Sequence, residues 1–161
     1  MGDLGTLDIK AFVGNSIREV FATMFSMEVV IFTNGDQQGF DGGNRIVGSV
    51  SFAGDVMGNV NIHVTDDFAR VMTAAMLDIE VSEIGGEEEV HDVIGELCNM
   101  IGGGLKSRLC DSGLPCKLSI PFISCGNSFR VESRGWASKE RLSLQYQGHT
   151  ALVEVYMKPG D

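Results

Sequence analysis

Asp92, Glu96, Asn99 and Gly103 follow one another at intervals of four, three and four residues. If Glu87 to Cys110 is helical, these intervals put all four on one face at about 100° per residue. The apolar positions Val90, Val93, Ile94, Leu97, Ile101 and Leu105 fall on the opposite, buried face. Glu96 and Asn99 then project side by side into solvent, about one turn apart. Asparagine is a poor mid-helix surface residue, worse than Lys, Glu or Ala by roughly a few tenths of a kcal/mol. Gly102-Gly103-Gly104 follows at once, and three glycines cost roughly 2–3 kcal/mol of helix stability relative to alanine. A side-chain-poor patch beside a carboxylate and an amide lets another backbone or a phosphate approach closely. The plainer reading is a solvated helix face, with the glycines as a C-cap at Gly102. Leu105 and Leu109 stay in phase beyond the glycines, which favours one continuous helix.

Other elements must hold that helix. Residues 8–25 carry Ile9, Phe12, Val13, Ile17, Val20, Phe21 and Met24 at three- and four-residue steps, with Asp8 placed to cap a first helix. Glu28–Phe32 reads as a short strand and Thr33–Arg45, rich in Gly, Asn, Asp and Gln, as a loop. Ile46–Phe52 and Val56–Val64 read as strands around an Ala53-Gly54-Asp55 turn. Asn59, Asn61 and His63 alternate with Val60, Ile62 and Val64, so one face of that strand is expected to be wet. Thr65 is placed as the cap of a second helix that buries Phe68, Val71, Met72, Ala75 and Met76. Cys116–Ser124, Ser128–Ser133, Leu142–Gln147 and Ala151–Met157 each have strand character, the last two as a hairpin. His149 reads as a turn residue and Trp136 as a loop packing anchor or interface residue. The order of elements predicts an α+β domain, with long helices packed on a largely antiparallel sheet.

The chain has 161 residues, which suits one domain over 1–161, and 43% hydrophobic residues are enough for a core. A net charge of -10 argues against nucleic acid or an anionic membrane as partner, since phosphate affinity needs basic surface. No apolar run approaches the ~18 residues of a membrane span. The acidic Met1-Gly2-Asp3-Leu4 start lacks the order of a secretory signal. Cys98, Cys110, Cys116 and Cys125 include no C-x-x-C pair and read as small, mostly buried hydrophobes, so a reducing cytoplasm is expected. Glu87, His91 and Asp92 could hold a metal, with Glu87 and His91 spaced i, i+4. Three glutamates at a helix start are more simply partners of its dipole, and no metal site is expected.

The pattern Asp92-x3-Glu96-x2-Asn99, followed after 21 intervening residues by Pro121, resembles the signature of the CheC/CheX family of response-regulator phosphatases. Val93–Met100 is similar to the functional helix of that family, and the length suits CheX, its short single-site member. The resemblance implies an α/β two-layer fold and hydrolysis of the phosphoaspartate of a CheY-type regulator, in chemotaxis or a related two-component circuit. Asn99 would position the attacking water, since its amide has donors and an acceptor but is no strong base. Glu96 would dock the lysine beside the phosphoaspartate. Asp92 would orient the helix or tune its field, and Gly103 would leave room for the partner. No cofactor of its own is implied, and Mg2+ would belong to the regulator. CheC-like members carry a second motif on the first helix. Here Asn15 is preceded at that spacing by Phe12, so one site is expected. CheX-like proteins dimerise through sheet edges, which implies a homodimer. The same fold in flagellar switch proteins holds partners without hydrolysis, which keeps a non-catalytic binding module open.

Overall fold

Asp8 accepts a hydrogen bond from the Ala11 N–H at 3.1 Å and starts helix α1 (Ile9–Phe25), which ends at Ser26 in the left-handed region. The computed structural model describes residues 4–33, 40 and 43–160. Strand β1 (Val30–Phe32) follows α1, and the strands β2 (Asn44–Gly54) and β3 (Val56–Thr65) form a hairpin. Gly54 makes the corner at φ 158°, where a Cβ would stand 2.4 Å from the Pro115 carbonyl oxygen. Thr65 caps helix α2 (Asp66–Leu77) by accepting from the Phe68 N–H at 3.1 Å. Helix α3 (Glu87–Asp111) begins with three glutamates, where carboxylates favour the helix dipole. The short strand β4 (Cys116–Leu118), then β5 (Phe122–Asn127), β6 (Ser138–Tyr146) and β7 (His149–Pro159) complete the chain.

All pairings among the described residues are antiparallel, in the order β1-β6-β7-β3-β2-β4, with β5 also on the outer side of β2. The three helices pack on one face of this sheet, an α+β architecture. The main core lies between the layers: Phe21, Ile62, Val64, Phe68, Ile94, Leu97, Ile101 and Val155 are essentially inaccessible. Glycine allows α3 to close on the sheet. A Cβ at Gly48 of β2 would stand 2.3 Å from Cys98 Sγ and 3.0 Å from Ile94 Cγ2.

The structure corrects several readings. Asn61 and His63 are buried rather than wet, at 4% and 0% exposure. The outer sheet face is not open to water there. Phe40 and the segment 128–137 lie over it: Arg45 donates to the Phe129 carbonyl and stacks on the Phe129 ring, and Phe40 lies 6.0 Å from the His63 ring. Ser128–Ser133 is therefore no strand. Its backbone turns at Ser128 (φ 54°) and crosses the sheet instead of pairing with it. In α2, Ala75 and Met76 are exposed, and Ala69, Thr73 and Ala74 are buried in their place. His149 opens β7 and stacks on Phe68 at 5.1 Å. Of the segment read as a loop, 34–39, 41 and 42 lie outside the described residues, and Asn44 and Arg45 belong to β2. The stretch read as one strand over Cys116–Ser124 is two, β4 and β5, because Pro121 has no N–H to give the ladder.

Candidate functional site

Helix α3 runs unbroken through Gly102-Gly103-Gly104, so the glycines are not its C-cap. Each meets a different environment. A Cβ at Gly102 would stand 2.8 Å from Val50 Cγ1 of β2, and one at Gly104 would stand 2.4 Å from Ser16 Oγ of α1. These two are small because the sheet and α1 come that close. Gly103 has nothing within 4 Å of where a Cβ would be. It opens onto a groove between α1 and α3, walled by Ser16, Glu19, Val20 and Thr23 on one side and Asn99, Met100 and Ser107 on the other.

Asp92 and Glu96 are exposed on the outer face of α3. Asn99 and Gly103 are half-buried along the groove rather than fully in solvent. Neither the Glu96 nor the Asn99 side chain makes a hydrogen bond or ion pair among the described residues. Their polar groups are thus free to meet a ligand from outside. Pro121 lies beside the same helix: a Cβ on Gly95 would stand 3.6 Å from Pro121 Cγ. The strand break at Ser119-Ile120-Pro121, held by Ser119 N–H to the Ser51 carbonyl at 2.8 Å, thus packs one residue from Glu96. Two apolar side chains stand outward on either side of Pro121: Ile120 in the break at 82% and Phe122, the first residue of β5, at 73% exposure.

The α1 wall escaped the sequence reading. Its signal is Ser16, a small polar residue inside the apolar stripe of α1, buried at 1% where α3 crosses. Arg108 donates to Ser16 Oγ at 3.0 Å and reaches Glu19 at 3.8 Å, tying the two helices together below the groove. Asn15 is exposed on α1 and Phe12 packs partly buried against the core.

The possible metal trio does not assemble. The carboxylate of Glu87 pairs with Arg70 of α2, and His91 Nε2 is buried with no partner among the described residues. No group of three or more His, Cys, Asp or Glu among the described residues could hold a metal ion. Cys98, on the sheet-facing side of α3, has its thiol pushed up to about 12 by burial, and burial also raises Cys116. Cys125 is exposed on β5.

A family model described as chemotaxis phosphatase CheX matches residues 46–146, which take in α3, Glu96, Asn99 and Pro121. The chain belongs to the CheX family. Its fold is shared with solved members. CheX from Vibrio vulnificus superposes with a TM-score of 0.79 at 23% identity, over 94% of this chain and 100% of that one. A chemotactic CheC-like protein from Shewanella oneidensis MR-1 gives 0.75 at 23% identity, over 92% of this chain and 96% of that one. The CheX of a CheX–CheY–BeF3–Mg2+ complex from Borrelia burgdorferi gives 0.72 at 16% identity, over 94% and 98%. No curated protein matches the chain.

Proposed function

We propose that this CheX-family protein hydrolyses the phosphoaspartate of a CheY-type response regulator. The observation that carries this reading is that Pro121 packs on Gly95, beside Glu96, while Asn99 and Gly103 line one groove on the same helix. Motif residues far apart in the chain thus share one surface. The CheX–CheY complex from Borrelia burgdorferi supports a regulator of that kind as the partner.

In this mechanism water attacks the phosphorus of the aspartyl phosphate. The P–O bond to the aspartyl carboxylate breaks, and inorganic phosphate leaves. Such a transfer needs positioning and charge compensation more than covalent chemistry. The Asn99 amide, unengaged within the chain, holds the water in line and replaces random encounter by an oriented one. Glu96 is exposed and accepts from the regulator's lysine, which sets the register for inserting Asn99. Gly103 leaves the partner room beside Asn99. Asp92, one turn before Glu96, adds negative potential without touching the reacting atoms. Asp92 and Glu96 make too small a ligand set for a hard cation, so Mg2+ is assigned to the regulator. Ile120 and Phe122 beside Pro121 suit a protein partner, because exposed apolar side chains grouped at a polar site mark protein contacts. We place the protein in the cytoplasm, where its regulator would be. We also assign it as a homodimer through β1, an edge strand with Val30 and Phe32 exposed.

The test is phosphate release from a Mg2+-loaded, acetyl-phosphate-charged CheY-type regulator, with wild type and Asn99→Ala. Wild type should accelerate release. Asn99→Ala should bind the regulator as before but lose about 100-fold in rate. Full activity in Asn99→Ala would overturn the mechanism. Binding without acceleration by wild type would make the protein a non-catalytic binding module.

A further inference from the structure

The outer sheet face, across the sheet from α3, holds a second polar constellation that the phosphatase reading does not use. Its base is Glu154, fully buried on β7. Glu154 accepts from His63 Nε2 at 2.6 Å, Arg141 Nε at 2.9 Å and the Tyr156 hydroxyl at 3.0 Å. Arg45 Nη1 lies 3.2 Å from His63 Nδ1. A guanidinium only donates, so Nδ1 is the acceptor and Nε2 carries the proton given to Glu154. The guanidinium of Arg141 is therefore held in a set orientation, while its side chain stays 42% exposed.

That guanidinium forms part of the lining of a cavity of about 250 Å3, together with Arg130, Arg134, Lys139, Tyr156 and one carboxylate, that of Glu132. The segment 128–137 builds one wall, anchored to the sheet by Arg45 donating to the Phe129 carbonyl and by the Ala137 N–H donating to the Met157 carbonyl at 3.0 Å, and braced within itself by Trp136 Nε1 donating to Ser133 Oγ. The cavity concentrates cations against the trend of the molecule. Four of the 12 basic residues line it in a chain of net charge -10. Arg134 is engaged by Glu132 at 3.3 Å and Arg141 by Glu154. Arg130 and Lys139 have no ion-pair partner among the described residues.

We propose that this cavity binds a small molecule carrying a phosphate monoester group. Two uncompensated cations beside a pre-oriented guanidinium match one dianion better than a single carboxylate. A phosphate monoester carries about -1.5 to -2 charges near pH 7. The space is smaller than the ~300 Å3 at which pockets for drug-sized ligands begin, which suits a phosphate with a short substituent. A nucleic-acid strand is disfavoured, because a chain of net charge -10 would repel its remaining phosphates. The site is independent of the phosphatase reading: its residues lie on the other face of the sheet from Asn99.

The test is a titration of 15N-labelled protein with inorganic phosphate, read at the arginine side-chain Nε–H resonances, with chloride at matched ionic strength as the control. Arg141 and Arg130 should shift saturably with phosphate and not with chloride. The affinity should rise as pH is raised through neutrality and the inorganic phosphate dianion forms. The double variant Arg130→Gln/Lys139→Gln changes only exposed side chains and should bind phosphate at least about tenfold more weakly. Asn99→Ala should bind phosphate like wild type. No saturable shift, equal shifts in chloride, or undiminished binding in the double variant would overturn the proposal.

Discussion

Substituting Gly102, Gly103 and Gly104 one at a time by alanine should split a uniform sequence into opposite responses. All three sit inside α3, where alanine is favoured over glycine by about 0.8–1.0 kcal/mol. At Gly103 nothing opposes that gain, because the new methyl meets no atom within 4 Å. Gly103→Ala should therefore raise the unfolding free energy by about 1 kcal/mol, or the melting temperature by about 2–4 °C for a chain of this size. At Gly102 the methyl would stand 2.8 Å from Val50 Cγ1, in the buried seam between α3 and β2. Overpacking of that kind costs about 1–3 kcal/mol, so the net change is a loss of about 0–2 kcal/mol. At Gly104 the methyl would meet Ser16 Oγ at 2.4 Å and Ser16 Cβ at 3.2 Å, displacing the hydroxyl that receives Arg108. The same net loss is expected there. Urea unfolding followed by circular dichroism gives the three values directly. A stabilised Gly102→Ala, or a destabilised Gly103→Ala, would refute this account of helix packing. The regulator assay adds a second readout. If Gly103 serves the approach of a partner, Gly103→Ala should gain stability and lose dephosphorylation rate together.

Glu154→Ala removes a buried carboxylate that His63, Arg141 and Tyr156 all depend on, and it should cost about 3–5 kcal/mol in the same unfolding assay. A cost below about 1 kcal/mol would mean the network is not closed to water. The Cys98 thiol, with its pKa pushed up by burial from 9.0 to about 12, ionises later in the folded protein than in the unfolded chain. The unfolded state loses its proton first, so stability from this group is complete below pH 9.0 and falls as pH rises toward about 12. Replacing Cys98 by alanine should flatten that alkaline decline, measured as urea midpoint against pH. In the native protein a thiol reagent at pH 8 should modify exposed Cys125 and spare Cys98 until unfolding. Light scattering at micromolar concentration should give the mass of a dimer, and Phe32→Lys on the exposed edge strand should shift it toward monomer. A monomeric wild type would remove the edge-strand assignment.

The helix that carries Asp92, Glu96, Asn99 and Gly103 was legible because everything needed to place those residues on one face is local. A period of 3.6 and an apolar stripe from Val90 to Leu109 set their relative directions whatever surrounds them. The caps at Asp8 and Thr65 and the β6–β7 hairpin were legible for the same reason, as short-range hydrogen bonding and alternation. Three matters were decided only by tertiary contact. Gly102 and Gly104 are small because β2 and α1 approach them, whereas Gly103 is not crowded at all, and no local pattern distinguishes the three. Pro121 meets Gly95 only because β4 and β5 share β2 as a neighbour, which brings the strand break beside α3. His63 and Asn61 looked like a wet face because alternation reports which residues point away from one core and is silent on what covers the other side. There an irregular segment covers the sheet, and Asn61 and His63 beneath it are satisfied by Ser49 and Glu154 instead of by water. Such pairing joins residues up to 91 positions apart in the chain, and only the folded backbone brings them within reach.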